Sequence, residues 1–358
     1  MLIDALAGHA DSATVAALAR RSFGDIVATV ARARRDAAEP SPADRRESAI
    51  GVETASSADP LIADLRAAGI LDRGAAALAQ VADGAAPSEP ADVAALEAII
   101  LLYGRPALLI TGGTFDTPPP DWVQLADHRE SIDGVIRAVA RVEVTPPPNS
   151  RWVATGFLVA PGVLMTNRHV TKAFAAGDGV EVTLGADTRA RVDYAAEHAA
   201  VTSVRLDVTD VLGIHPEYDL ALIAVGSSAA FEPPPPLTLA GEEPAQLDGL
   251  EVYVVGHPVQ DGQRNDAVHM MRIFERIFRV KRLQPGRSSG MTTYDYRSVL
   301  AHDCSTLWGN SGSCVVELTT GRVIGLHFGG EYAERNVAVP LWRLVDDPLL
   351  AAHNIAFA

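Results

Sequence analysis

TLWGNSGSCVV, residues 306–316, decides how this chain is read. Ser311 stands between Gly309 and Gly312, and glycine admits the backbone conformations that so tight a turn needs. Such a turn can present the Ser311 hydroxyl and aim neighbouring backbone N–H groups at one point. An apolar run, CVV at 314–316, follows at once and reads as a strand. Working outward, strands are predicted at 136–144, 152–159, 162–166, 180–184, 201–207 and 220–225. FEPPPPL at 231–237 interrupts the pattern as a linker. A second set is predicted at 251–256, 270–282, 296–301, 313–318, 322–328 and 336–339, with a C-terminal helix from near Pro340. Two groups of about six strands joined by a proline-rich crossing predict two packed antiparallel β barrels.

Two other segments in the β region carry chemistry-bearing residues in matching settings. ATGFLVAPGVLMTNRHV at 154–170 places His169 just after a predicted strand, where an imidazole can be held at a barrel rim. HPEYDLALIAV at 215–225 sets Asp219 at the mouth of an apolar strand. Taken singly, a histidine at a strand end, an aspartate before a strand and a Gly/Ser turn each have an ordinary structural explanation. Together they fall in the order His, Asp, Ser at separations of 50 and 92 residues. These are the parts of a nucleophile, base and orienter system.

At this point residues 136–345 resemble the chymotrypsin-like serine peptidases, in particular the bacterial trypsin-like branch that includes the glutamyl endopeptidases. The match rests on TNRHV at 166–170, YDLALI at 218–223, GNSGS at 309–313 and VIGLHFGG at 323–330. The resemblance implies two six-stranded barrels, over 136–230 and 249–340, with a cleft between them. It also implies His169 as general base and then acid, Asp219 as orienter, Ser311 as nucleophile, and the N–H groups of Gly309 and Ser311 as the oxyanion hole. No cofactor and no metal is expected. Ser305 occupies the position where the trypsin pattern has a pocket carboxylate, which speaks against a preference for Arg or Lys, although Asp303 is near. His327 matches the histidine that reads acidic side chains in the glutamyl endopeptidase pattern, so an acidic P1 residue is expected. Gly329 and Gly330 would leave the pocket mouth open, and Trp308 would line its rim. Cys314 departs from the proline usual after GNSGS. A catalytically silent binding module on the same scaffold is the alternative, and an HtrA-like arrangement is disfavoured because only about 20 residues follow the last predicted strand.

The N-terminal third has another texture. Its first 100 residues hold 30 alanines and one of the 20 aromatic residues, Phe23. Ala and Leu at helical spacing predict helices at 12–36, 59–69, 73–82 and 90–103. The expected organisation is a helical regulatory or adaptor-like domain over 1–115, a connector over 116–135 in which Asp121 starts a short helix to about Ile132, the peptidase-like region to 345, and a tail over 346–358. ALLITGG at 107–113 reads as a possible strand. In plan this is similar to bacterial defence or signalling effectors that join a small helical adaptor to a peptidase, which makes a protein partner of residues 1–115 an expectation.

Charge and cysteine content narrow the rest. Thirty basic against 45 acidic side chains give a net charge of −15, the wrong sign for a nucleic-acid or anionic-membrane partner. Two cysteines, Cys304 and Cys314, exclude a disulfide framework. The N-terminus lacks a basic n-region, and Asp4, His9 and Asp11 interrupt any apolar stretch there, so a cytoplasmic location with free thiols is expected.

Overall fold

The computed structural model describes residues 105–145, 152–260, 273–331 and 335–358. The chain divides into two compact units between Gly104 and Arg105, and every described residue belongs to the second. The helices expected at 12–36, 59–69, 73–82 and 90–103 lie outside the described residues.

The second unit enters through β1 (Leu108–Thr111) and β2 (Thr114–Phe115), then a 3-10 helix over Pro120–Ala126 and helix α1 (Arg129–Ala138). The connector helix thus comes as two pieces, separated at Asp127 and His128, with a further kink at Trp122 inside the first; the N-cap is Pro119, not Asp121. In α1, Ile132, Val135 and Ile136 recur at helical spacing and are buried, with Glu130 in the first turn and Arg137 in the last, where each complements the helix dipole. These segments are part of the barrel core: Ile110, Phe115, Trp122 and Leu125 are all buried.

Barrel one follows as β3 (Val139–Thr145), β4 (Trp152–Ala160), β5 (Val163–Thr166), a hairpin of β6 (Ala175–Asp178) and β7 (Glu181–Leu184), then β8 (Arg189–Asp193), β9 (Arg205–Ile214) and β10 (Ala221–Val225). Six of these close in the order β10-β5-β4-β3-β8-β9, with β6 and β7 paired outside the ring. The sequence RARVD did not read as a strand. In β8 its Ala190 and Val192 are buried while Arg189 and Arg191 reach out to Asp207, so alternation is present under the charge.

Barrel two is β11 (Asp248–Gly256), β12 (Arg282–Tyr294), β13 (Arg297–His302), β14 (Cys314–Glu317), β15 (Val323–Glu331) and β16 (Arg335–Pro340). Their order is β11-β14-β15-β16-β13-β12, and a β11–β12 pairing closes the ring. The strand expected at 270–282 is displaced: pairing starts at Arg282 and runs to Tyr294, through Pro285, Gly286 and Gly290, which look like loop residues. Likewise the strand expected at 201–207 lies at Arg205–Ile214. β1 extends this sheet by pairing with β12, Leu108 opposite Leu283.

The seam between the barrels is polar and buried. Lys281 is fully buried and its Nζ donates to the carbonyls of Ile136 at 2.9 Å and Tyr194 at 2.8 Å, with Glu197 Oε1 at 3.5 Å. The proline-rich crossing bridges the barrels through Leu237 N–H to Leu158 O and Ala240 N–H to Val323 O. The C-terminal segment, a 3-10 helix over Leu341–Leu344 and helix α2 (Pro348–Ala352), returns to barrel one, where Asp347 caps α2 and lies 3.0 Å from His215 Nε2. Among the described residues no helix is long and apolar enough to cross a membrane.

Candidate active site

His169 sits in a single helical turn, Arg168–Thr171, directly after β5. Asp219 lies just before β10, the strand that pairs with β5, so barrel pairing alone brings the two segments side by side. The Asp219 carboxylate then holds His169 at two points. Oδ1 accepts the His169 backbone N–H at 3.0 Å, and Oδ2 lies 2.6 Å from His169 Nδ1. The neighbouring residues of the same motif fix the frame: Asn167 Nδ2 donates to Asp219 O at 2.8 Å, and the Arg168 guanidinium donates to the Tyr218 carbonyl at 2.6 Å and to that of His215. This grip sets the ring orientation and places the Nδ1 proton toward the carboxylate, leaving Nε2 as the basic nitrogen.

Ser311 belongs to the turn between Trp308 and Ser313. Gly309 and Gly312 have φ of +88° and +87°, in the region that favours glycine. Space forbids anything larger: a Cβ at Gly312 would lie 2.0 Å from Thr155 O. The turn is fastened to both barrels, by Thr155 N–H to Ser311 O at 2.9 Å and by Gly312 N–H to His327 O at 2.9 Å. The N–H groups of Gly309 and Ser311 have no acceptor among the described residues, and the Ser311 hydroxyl makes no hydrogen bond there either. His169 and Asp219 are thus joined directly, while Ser311 is tied to β4 of the same barrel by the Thr155 contact. A resting serine-to-histidine bond is often long before substrate binds.

The remaining site residues divide into two groups. His327 is buried in β15 and its Nδ1 lies 3.2 Å from Nε2 of His302, the rings meeting edge to face at 5.3 Å. Burial lowers the pKa of both rings, to about 4 for His302, and His327 also feels the charges of His302 and His169. Beyond His327, β15 is paired on one side only, through Gly329 with Val337 and Gly330 with Asn336, so its other edge is open among the described residues. Trp308 is 49% exposed. Ser305, by contrast, is turned away to the entry segment: its hydroxyl donates to Arg105 O at 2.7 Å, and its carbonyl accepts from Gln284. Asp303 is occupied too, by the Arg105 guanidinium and by the Arg287 N–H at 2.6 Å.

Four contributors escaped the sequence reading: Thr155, His257, His302 and Arg105. Asn167 and Arg168 lay inside the quoted TNRHV, but His257 and His302 carry no local signal beyond ending a strand. Cys304 and Cys314 are free and fully buried, and burial pushes the Cys314 thiol up to about 12. Among the described residues no group of three or more His, Cys, Asp or Glu side chains gathers as metal ligands.

Residues 154–326 match the trypsin-like peptidase domain family. No curated protein matches. Among solved structures the chain is similar to the Rv3671c protease of M. tuberculosis. Its active form is 21% identical with a TM-score of 0.43, covering 65% of this chain and 87% of that one. An inactive form is 21% identical with a TM-score of 0.42, covering 64% and 95%. An inactive serine-to-alanine mutant of strain H37Rv is 21% identical with a TM-score of 0.41, covering 62% and 89%.

Proposed function

We propose that this chain, a serine endopeptidase whose trypsin-like peptidase domain spans residues 154–326, cleaves protein substrates through Ser311, His169 and Asp219. The observation that carries the assignment is the two-point hold of Asp219 on His169. Neutral His169 takes the Ser311 proton as the hydroxyl attacks the scissile carbonyl, and Asp219 stabilises the imidazolium that results. The N–H groups of Gly309 and Ser311 meet the oxyanion of the tetrahedral intermediate. His169 then returns the proton to the leaving amine, and water, activated by the same base, releases the acyl group.

An acidic P1 side chain is the preferred substrate feature. Support comes from both sides of the pocket: Asp303 is neutralised by Arg105, and the buried His302 can donate from Nε2 to His327 Nδ1, which leaves His327 its Nε2–H as a donor to a carboxylate. Two unbridged thiols fit a reducing compartment such as the cytoplasm. Residues 1–104, a separate compact unit, are proposed to gate or target the peptidase by binding another protein, as in bacterial defence or signalling effectors.

Labelling of the full-length protein with a fluorophosphonate tests the central assignment. Covalent modification of the wild type and none of Ser311→Ala is the expected result, and equal labelling of both would overturn it.

A further inference from the structure

Gly309 is held on both of its flanking peptides. On one side the Val259 N–H donates to the Trp308 carbonyl at 2.5 Å, and on the other the Thr155 hydroxyl donates to the Gly309 carbonyl at 2.7 Å. A hydroxyl carries one proton. With that proton given to Gly309, Thr155 Oγ1 is an acceptor for its other contacts, the His257 backbone N–H at 3.2 Å and His257 Nδ1 at 3.2 Å. His257 must therefore carry its own proton on Nδ1. Its ring is fully buried, and burial together with the Lys281 and Arg141 charges holds its pKa well below the usual histidine range, so it is a neutral donor.

The two partners come from different halves of the fold. Thr155 lies in β4 of barrel one, and His257 and Val259 follow β11 of barrel two. Within the turn the Asn310 N–H also holds the Gly309–Asn310 peptide, donating to Leu307 O at 3.1 Å, but the turn's polar side chains give no help: the Asn310 side chain and Ser313 Oγ have no hydrogen-bond partner among the described residues. Nor can position 309 gain a side chain, since a Cβ there would lie 2.3 Å from His257 O and 2.7 Å from Val259 Cγ2.

We propose that Thr155 and His257 are positioning residues for the oxyanion hole, clamping the peptides around Gly309 so that the N–H groups of Gly309 and Ser311 stay aimed at the substrate oxygen. The inference rests on the peptidase reading above. A donor fixed in advance needs no reorganisation when charge develops. Releasing the clamp therefore weakens an interaction made only in the transition state, and lowers kcat while leaving KM alone.

The test compares full-length wild type with Thr155→Val, which removes the hydroxyl at similar shape, Thr155→Ser, which keeps it, and His257→Phe. Each is measured for kcat and KM on a peptide the wild type cleaves, and for inhibition by a peptide aldehyde, which forms an oxyanion, against the matching amide, which does not. Thr155→Val is expected to lose about 10- to 100-fold in kcat, below the roughly 10²- to 10³-fold of deleting a donor outright. Its KM should stay within about twofold and aldehyde affinity should fall with kcat, while Thr155→Ser restores most of the rate and His257→Phe loses several-fold. An unchanged kcat in Thr155→Val, equal losses in the Ser and Val variants, or parallel losses of aldehyde and amide affinity would overturn the clamp. If Thr155→Val does not fold by circular dichroism, His257→Phe decides on the same readouts, an unchanged kcat sinking the idea. A wild type that neither cleaves nor labels overturns the peptidase reading and the clamp with it. A reactive wild type beside an equally reactive Thr155→Val overturns the clamp alone.

Discussion

The Arg105 guanidinium holds both carboxylate oxygens of Asp303, Nε to Oδ1 at 2.7 Å and Nη2 to Oδ2 at 2.6 Å. The first residue of the barrel unit is thereby bound to the loop that walls the expected primary pocket, and Ser305 Oγ adds a third bond to the Arg105 carbonyl. The charge that would have favoured Arg or Lys in the substrate is already paired.

Cleavage is expected to show Glu, then Asp, ahead of Arg at P1 in a peptide-library profile. His327→Ala should lower kcat/KM for an acidic substrate by roughly 10²-fold, about 2.7 kcal/mol, the scale of one hydrogen bond to a charged group. A profile dominated by Arg and Lys would refute the acidic preference and point to an Asp303 released from Arg105.

Asp219→Asn should lower kcat by about 10⁴-fold, because the amide cannot hold the Nδ1–H tautomer of His169 that leaves Nε2 basic. Steady-state kinetics on purified protein checks this. A loss below about tenfold would mean that Asp219 does not orient the base.

A fragment covering 105–358 is expected to unfold cooperatively, whereas one starting at Ser131 should not, because it lacks the buried Ile110, Phe115, Trp122 and Leu125. Within the full chain, Leu125→Ala should cost about 2–5 kcal/mol in denaturant unfolding. Cooperative unfolding of 131–358 at unchanged stability would show that the entry segment is dispensable.

The Lys281 ammonium has its pKa lowered from 10.5 to about 8, first by burial, with Glu197 and Asp193 opposing the shift. Between those two values the unfolded chain binds more protons than the folded one, so stability rises with pH there. Relative to Lys281→Met, the unfolding free energy of the wild type should climb by up to roughly 1.4 kcal/mol per pH unit above pH 8. A flat difference across that range would mean that the ammonium is not destabilised by burial.

What the sequence disclosed follows how local each signal is. Gly309, Ser311 and Gly312 announce their turn within four residues, and the apolar run after Asp219 announces β10, so three candidate segments and two sets of strands were visible. β8 and β12 were not, because Arg189, Arg191, Pro285 and Gly290 become strand residues only through partners elsewhere in the chain. Such pairing overrides a weak local propensity. The fate of Ser305 and Asp303 was equally hidden, since their partner Arg105 lies about 200 residues earlier. Composition grouped 105–115 with the alanine-rich block, while burial of Ile110 and Phe115 places them with the barrels.

Closing both barrels has a further effect on how this protein meets other chains. Each ring consumes its own strand edges, and unpaired edges are what let β proteins adhere to one another and seed fibrils. Among the described residues the open backbone includes the two residues of β2, the four-residue strands of the β6–β7 hairpin, the end of the β12–β13 hairpin past Ser289, and one side of β15 past His327. A molecule that must accept extended polypeptide thus offers little template for indiscriminate self-association. Part of what remains follows His327, whose carbonyl accepts the Gly312 N–H, so a strand added there would run toward the turn of the proposed nucleophile.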